Sequence, residues 1–242
     1  MAGPAWEASF MRTFRSQPRS YGTFVAKVQR FRLTFAWVAV FAVLAAASAA
    51  ADAPVKIVAL GDSLTAGFGL PGGDAFPVKL EKALKAKGIA ATVANAGVSG
   101  DTASGGLARV DWSIPDGTDA VIVELGANDA LRGIDSAVTR KAIDAILSRL
   151  KERKIAVLLC GMRAPPNMGA DYAKTFDAIF PALAEKHGVL LYPFFLDGVA
   201  ADAKLNQGDG IHPTAQGVDV IVTRIMPHIE QLIARARTLR GS

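Results

Sequence analysis

Two residue types that carry much of protein chemistry are scarce in this chain. Its 242 residues hold one cysteine, Cys160, and three histidines. A lone thiol rules out a disulfide within the chain. Cys160 follows the apolar run Ile155-Ala156-Val157-Leu158-Leu159, so it reads as a buried core residue. Paired cysteines and an H-E-x-x-H helix are both missing, so a zinc site has no ligand set. No metal or other cofactor is expected. The lipase elbow G-x-S-x-G is absent as well, which disfavours the α/β-hydrolase fold. A basic patch is also lacking. The formal charge is +5, but residues 1–53 hold six Lys/Arg and two Asp/Glu, leaving +1 for residues 54–242. Nucleic acid, which needs a clustered basic face, is not expected as a partner.

What is present begins with a leader. Arg12, Arg15, Arg19, Lys27, Arg30 and Arg32 precede an apolar stretch from Leu33 to Ala47. Small residues follow, up to Asp52 and Pro54. Basic, apolar and small-residue segments in that order describe a secretory signal peptide, with cleavage expected near residues 49–53 and an exported, periplasmic product. An uncleaved inner-membrane anchor is the alternative, since residues 33–51 approach the length of a bilayer span. The basic region is long, and translation starting at Met11 or later would shorten it. Residues 54–242 suit one domain.

In that domain five apolar, β-branched runs, 55–60, 91–96, 119–125, 155–162 and 189–194, are interleaved with amphipathic segments at 76–87, 137–153, 172–187 and 214–237. Runs that are apolar throughout predict strands buried on both faces. Their alternation with helices predicts an α/β domain on a parallel sheet. Lys87-Gly88 and His187-Gly188 read as helix stops. Ligands of such sheets bind beyond the carboxyl ends of the strands. Ser63, Asn95-Ala96-Gly97, Gly126-Ala127-Asn128-Asp129 and the loop holding Asp209 and His212 all fall at that edge.

A serine hydroxyl is a weak nucleophile until an oriented base takes its proton. Ser63 after the first strand, taken alone, reads more readily as a helix cap. His187 lies in a helix's last turn and His228 in the C-terminal helix. His212 alone stands in a glycine- and proline-bounded loop, three residues after Asp209. That spacing lets Asp209 accept from Nδ1 while Nε2 faces Ser63, although a plain turn explains it too. The Asn128 amide and the Gly97 N–H are candidate donors to an oxyanion. Gly67-Phe68-Gly69-Leu70-Pro71-Gly72 matches the dinucleotide fingerprint letter for letter. It starts well past the strand and lacks an acidic residue at the end of strand two, so it reads as a loop.

The blocks Gly61-Asp62-Ser63-Leu64, Asn95-Ala96-Gly97, Gly126-Ala127-Asn128-Asp129 and Asp209-Gly210-Ile211-His212-Pro213, in this order, resemble the SGNH or GDSL hydrolases. Ser99-Gly100-Asp101-Thr102, Val123-Glu124-Leu125-Gly126, Leu131-Arg132-Gly133 and Tyr192-Pro193-Phe194-Phe195 are similar to the bacterial subgroup of periplasmic thioesterase I, lysophospholipase and arylesterase. Ala127 departs from the glycine that subgroup often has. The resemblance spans residues 55–235. It implies a flavodoxin-like three-layer α/β/α sandwich with five parallel strands in the order 2-1-3-4-5. It implies catalysis by Ser63, Asp209 and His212, and an oxyanion hole from the N–H groups of Ser63 and Gly97 with the Asn128 side chain. The implied substrates are small-molecule acyl esters and thioesters, with lysophospholipids bringing membrane lipid into the class. Leu70, Met162, Pro165 and Met168, in two loops expected to flank the crevice, are candidate groove residues. A carbohydrate O-acetyl esterase, or a non-catalytic lipid-binding protein on the same fold, are the competing readings.

Overall fold

The computed structural model describes residues 53–241. The leader read over residues 1–53 lies outside them except for its last residue. Five strands, β1 (Val55–Gly61), β2 (Ala91–Gly97), β3 (Ala120–Glu124), β4 (Ala156–Cys160) and β5 (Leu190–Tyr192), form one sheet in the order β2-β1-β3-β4-β5. Every pairing is parallel, so each connection must cross over the sheet.

Eight α-helices are seen among the described residues: α1 (Ser63–Ala66), α2 (Phe76–Ala86), α3 (Ala103–Ser113), α4 (Ala127–Leu131), α5 (Ser136–Glu152), α6 (Ala170–Asp177), α7 (Ile179–His187) and α8 (Ala215–Arg240). α2 packs with α8, while α5 packs with both α3 and α7. Every residue of β3 and β4 is buried, as a strand covered by helices on both faces requires. The flavodoxin-like α/β/α sandwich and its strand order are as the resemblance implied. None of the described helices is long and apolar enough to cross a membrane.

The sequence reading needs four corrections. β2 is an edge strand and is largely half-buried or exposed, with only Val93 buried, so it is not covered on both faces. β4 and β5 are shorter than the apolar runs. Gly161 leaves the ladder to donate to the Tyr192 carbonyl at 2.7 Å and to accept from Phe195 N at 2.9 Å. The segment 172–187 is two helices broken at Ala178. Pro181, lacking an N–H, leaves the Asp177 carbonyl without its helical donor. The fourth concerns α3, which none of the amphipathic segments read from the sequence covers. Gly105 and Gly106 lower helix propensity by roughly 1 kcal/mol each, but Thr102 caps the helix by accepting from Gly105 N. Gly106 is there for packing, since a Cβ would stand 2.3 Å from Leu125 Cδ1.

Register decides where the site forms. Gly97, Gly61, Glu124, Cys160 and Tyr192 lie side by side across the sheet. The loops leaving this row therefore start level with one another. Arg109 on α3 ties two of them, with Nη2 donating to Gly61 O and Nη1 to Ala96 O, both at 2.8 Å. Its Nε donates to Asp101 Oδ2 at 2.6 Å. Cys160 is fully buried, and burial holds its thiol well above its ordinary pKa. It is a core residue, inert as a nucleophile.

Candidate active site

After Gly61 the chain turns at Asp62 and enters α1, so Ser63 is the first helical residue at the carboxyl end of β1. A Cβ at Gly61 would be 2.0 Å from Thr65 Oγ1, so only glycine allows this tight exit. The Ser63 hydroxyl lies 3.0 Å from His212 Nε2, and His212 Nδ1 lies 2.6 Å from Asp209 Oδ2. A carboxylate only accepts, so the imidazole proton belongs on Nδ1 and the Nε2 lone pair faces Ser63.

Asp209 is oriented by its own loop. Its Oδ1 accepts from the backbone N–H of Ile211 and of His212, each at 3.0 Å. Gly210, at φ +76°, makes the turn possible. The bond from the His212 ring, followed by these two backbone bonds, brings the Asp209 carboxyl down to about 2. His187 and His228 lie elsewhere, His187 against Asp144 and His228 against the Tyr192 ring.

Sequence reasoning missed Gln207. Its Nε2 donates to Phe68 O at 2.8 Å and to Pro213 O at 3.0 Å, and its backbone N donates to His212 O at 2.7 Å. The His212 loop is thereby tied to the glycine-rich loop, and the Phe68 ring rests against His212 at 4.5 Å between centroids. A Cβ at Gly69 would meet Gln207 Oε1 at 2.2 Å. The false dinucleotide motif is a packing surface for the histidine loop.

Asn128 sits in α4, reached through Gly126 at φ +114°. Its side chain shares the cleft wall with Ser63 and His212, and its Nδ2 donates to Asp62 Oδ2 at 3.1 Å. Gly97 is placed differently. Its N–H already donates to Asn95 Oδ1 at 2.9 Å, and it is not on the cleft wall. A Cβ there would lie 2.3 Å from Ala66 N and 2.8 Å from Asp62 O. Because those atoms are backbone of the turn carrying Ser63, Gly97→Ala is expected to lower both turnover and stability, the latter by about 1–3 kcal/mol. A denaturant melt beside an ester assay checks both effects.

The cleft holds about 410 Å³. Leu64, Leu131, Met162, Pro165, Phe194 and Ile211 supply much of its apolar wall, and Ala127 lies beside Asn128. Of the four predicted groove residues, Met162 and Pro165 line it. Leu70 packs against the core instead, because its N–H closes a turn on Gly67 O. Met168 belongs to a 3₁₀ turn, Pro166–Met168, and its tip is directed at Gly133.

A serine, a histidine and an aspartate in hydrogen-bonded series at the carboxyl edge of a doubly wound sheet are the geometry of a serine hydrolase. Residues 59–220 match the GDSL-like Lipase/Acylhydrolase family, and the chain belongs to that family. It is 41% identical over 167 residues to an arylesterase of Vibrio mimicus, covering 69% of this chain and 84% of that protein. It is 34% identical over 207 residues to thioesterase 1/protease 1/lysophospholipase L1 of Escherichia coli K12, covering 85% and 98%. Among solved structures, AlinE4, an SGNH-hydrolase family esterase, superimposes with a TM-score of 0.63 at 49% identity over 74% of this chain and 96% of that one.

Proposed function

We propose that the protein is an exported serine esterase that hydrolyses carboxylic esters and thioesters through an acyl-enzyme on Ser63. The observation that carries this reading is the 3.0 Å contact between Ser63 Oγ and His212 Nε2, with the Asn128 amide on the same apolar cleft. Ser63 Oγ attacks the acyl carbon while His212 Nε2 takes the hydroxyl proton, and the Asp209 carboxylate stabilises the imidazolium. Negative charge builds on the former carbonyl oxygen, where the Ser63 N–H and an Asn128 N–H receive it. Gly97 N–H joins them if it turns away from Asn95. Collapse of the tetrahedral adduct breaks the bond to the alcohol or thiol, which leaves with the proton from His212. A water molecule, deprotonated by the same imidazole, then attacks the acyl-enzyme; the bond to Ser63 Oγ breaks, His212 returns the proton to that oxygen, and the acid is released.

The wall chemistry supports an acyl chain as the bound portion. Apolar side chains give attraction that grows with chain length, by about 0.8 kcal/mol per buried CH₂. The names of the relatives, an arylesterase and a thioesterase/lysophospholipase, point to aryl esters, acyl thioesters and lysophospholipids as the substrate range. Purified protein is expected to hydrolyse p-nitrophenyl esters and acyl-CoA in the same preparation. Ala164 lies on the cleft wall with its backbone N–H anchored to Asp177 Oδ1 at 2.9 Å, so a phenylalanine there must fill the cleft. Ala164→Phe is expected to move the chain-length optimum of a p-nitrophenyl ester series towards shorter acyl groups. An unchanged optimum would remove this cleft as the acyl site.

A further inference from the structure

Asp62 and Glu124 are carboxyl groups with 0% and 1% exposure beside Ser63, and neither takes part in the proton relay. A dry carboxylate is costly unless its oxygens are well used. Asp62 divides its two between different elements. Oδ1 accepts from Leu64 N at 3.0 Å and caps α1. Oδ2 reaches across to α4 and accepts from Asn128 Nδ2 at 3.1 Å. Capping needs only the first of these bonds, and a serine would provide it equally well. The second bond has another consequence. Because a carboxylate only accepts, it determines which way round the Asn128 amide sits. The nitrogen is held towards Asp62, and that nitrogen carries a second hydrogen.

Resting on the esterase reading, we propose that Asp62 is the positioning residue of the oxyanion hole, holding the Asn128 amide so that its second N–H meets the charge developing on the substrate carbonyl. Glu124 completes the arrangement from β3. Its Oε2 accepts from Thr65 Oγ1 at 2.8 Å and from Asp62 N at 3.4 Å, while Oε1 has no partner. Burial, and then the charge on Asp62, push the Glu124 carboxyl well above its ordinary value. Of the two carboxyls, Asp62 is therefore the one that gives up its proton first. Burial raises Asp62 to about 6, and the Leu64 N–H, the Asn128 amide and the nearby His212 ring hold it from rising further. At neutral pH it is the anion that Asn128 needs.

The test is a double-mutant cycle read on kcat and KM with p-nitrophenyl butyrate. In Asp62→Asn the new amide keeps its oxygen on Leu64 N and presents a donor to the Asn128 donor. The Asn128 amide must then turn over, placing oxygen where the oxyanion forms. Asp62→Asn is expected to lower kcat about 100-fold with KM within about 3-fold. In an Asn128→Ala background the same change is expected to cost less than about 3-fold, because the residue it acts through is gone. Asp62→Ser keeps the cap, removes the acceptor, and is expected to follow the same pattern with a normal melting curve. It carries the cycle alone if Asp62→Asn does not fold. Wild-type kcat in Asp62→Ser, or an equal loss in both backgrounds, would overturn the proposal and leave Asp62 as a helix cap. Failure of the esterase reading looks different, with a wild type that turns nothing over or a Ser63→Ala variant that keeps its activity.

Discussion

Ser63→Ala is expected to lower kcat towards p-nitrophenyl esters by about 10⁵- to 10⁶-fold and to leave the melting temperature within about 2 °C of wild type. The size follows from what the hydroxyl is for. Without Oγ there is no acyl-enzyme, and residual turnover can come only from water attacking a carbonyl polarised in the cleft. The small structural effect follows from what Oγ does not hold. Its hydrogen bond is to His212 Nε2, and α1 is capped by Asp62 rather than by Ser63. Losing one hydroxyl at a 9% exposed position leaves no cavity of consequence. Steady-state rates beside a calorimetric melt separate the two effects. Turnover above about one hundredth of wild type would require another nucleophile. Cys160, buried and held as a thiol, is not available for that role.

The parts of this site that could be read from the sequence are those set by local spacing. Asp209 and His212 share one turn, so three residues of chain are enough to bring them together. Ser63, Gly97 and Asn128 each end a strand or begin a helix, and a parallel sheet places such ends in a row. The contacts that were missed join distant positions by side chains that no spacing rule relates. Asp62 meets Asn128 66 residues away, Thr65 meets Glu124 59 away, and Gln207 reaches Phe68 139 away. Among the elements, β3 and β4 were legible because complete burial leaves an unbroken apolar run, and β1 because only the exposed Lys56 interrupts its run. α3 was not, because Gly105 and Gly106 answer to close contacts with Asp101 and Leu125 respectively and not to helix propensity. Leu70 and Met168 were placed in the groove because loop composition was readable and side-chain direction was not.

The buried carboxyls also show that this site is held against the fold's own preference. A carboxyl raised from 3.8 to about 6 binds its proton more tightly when folded than when unfolded. Its stabilising contribution is present below the unfolded value and is lost as pH rises through about 6. At neutral pH the ionised Asp62 therefore sets the fold back by roughly 3 kcal/mol. Such a deficit persists in a marginally stable protein only where it supports chemistry. A single anion fixing both the turn of Ser63 and the amide of Asn128 is a sufficient reason for it.

Asp209→Asn is expected to lower kcat by about 10⁴-fold with KM and stability little changed. The geometry of the Asp209 loop makes this loss unavoidable. Asp209 Oδ1 accepts from Ile211 N and His212 N, and an asparagine keeps both bonds only by leaving its oxygen there. Its amide nitrogen must then take the place of Oδ2, which lies 2.6 Å from His212 Nδ1. Two donors cannot share that contact, so the imidazole proton moves to Nε2. The ring stays where it was, but it now offers Ser63 an N–H in place of a lone pair, and the hydroxyl has no base. Turning the asparagine over to restore the tautomer sets its NH₂ against two backbone donors, so no orientation both satisfies the loop and keeps the productive tautomer. The pH profile gives an independent readout. Asp209, held at about 2 by its bonds to His212 and Ile211, remains ionised throughout any working range, so the acid limb of the wild-type profile must belong to other groups. In Asp209→Asn activity should recover above neutrality only as far as hydroxide replaces the missing base. A variant within tenfold of wild-type kcat would show that Asp209 neither sets the tautomer nor supports the imidazolium.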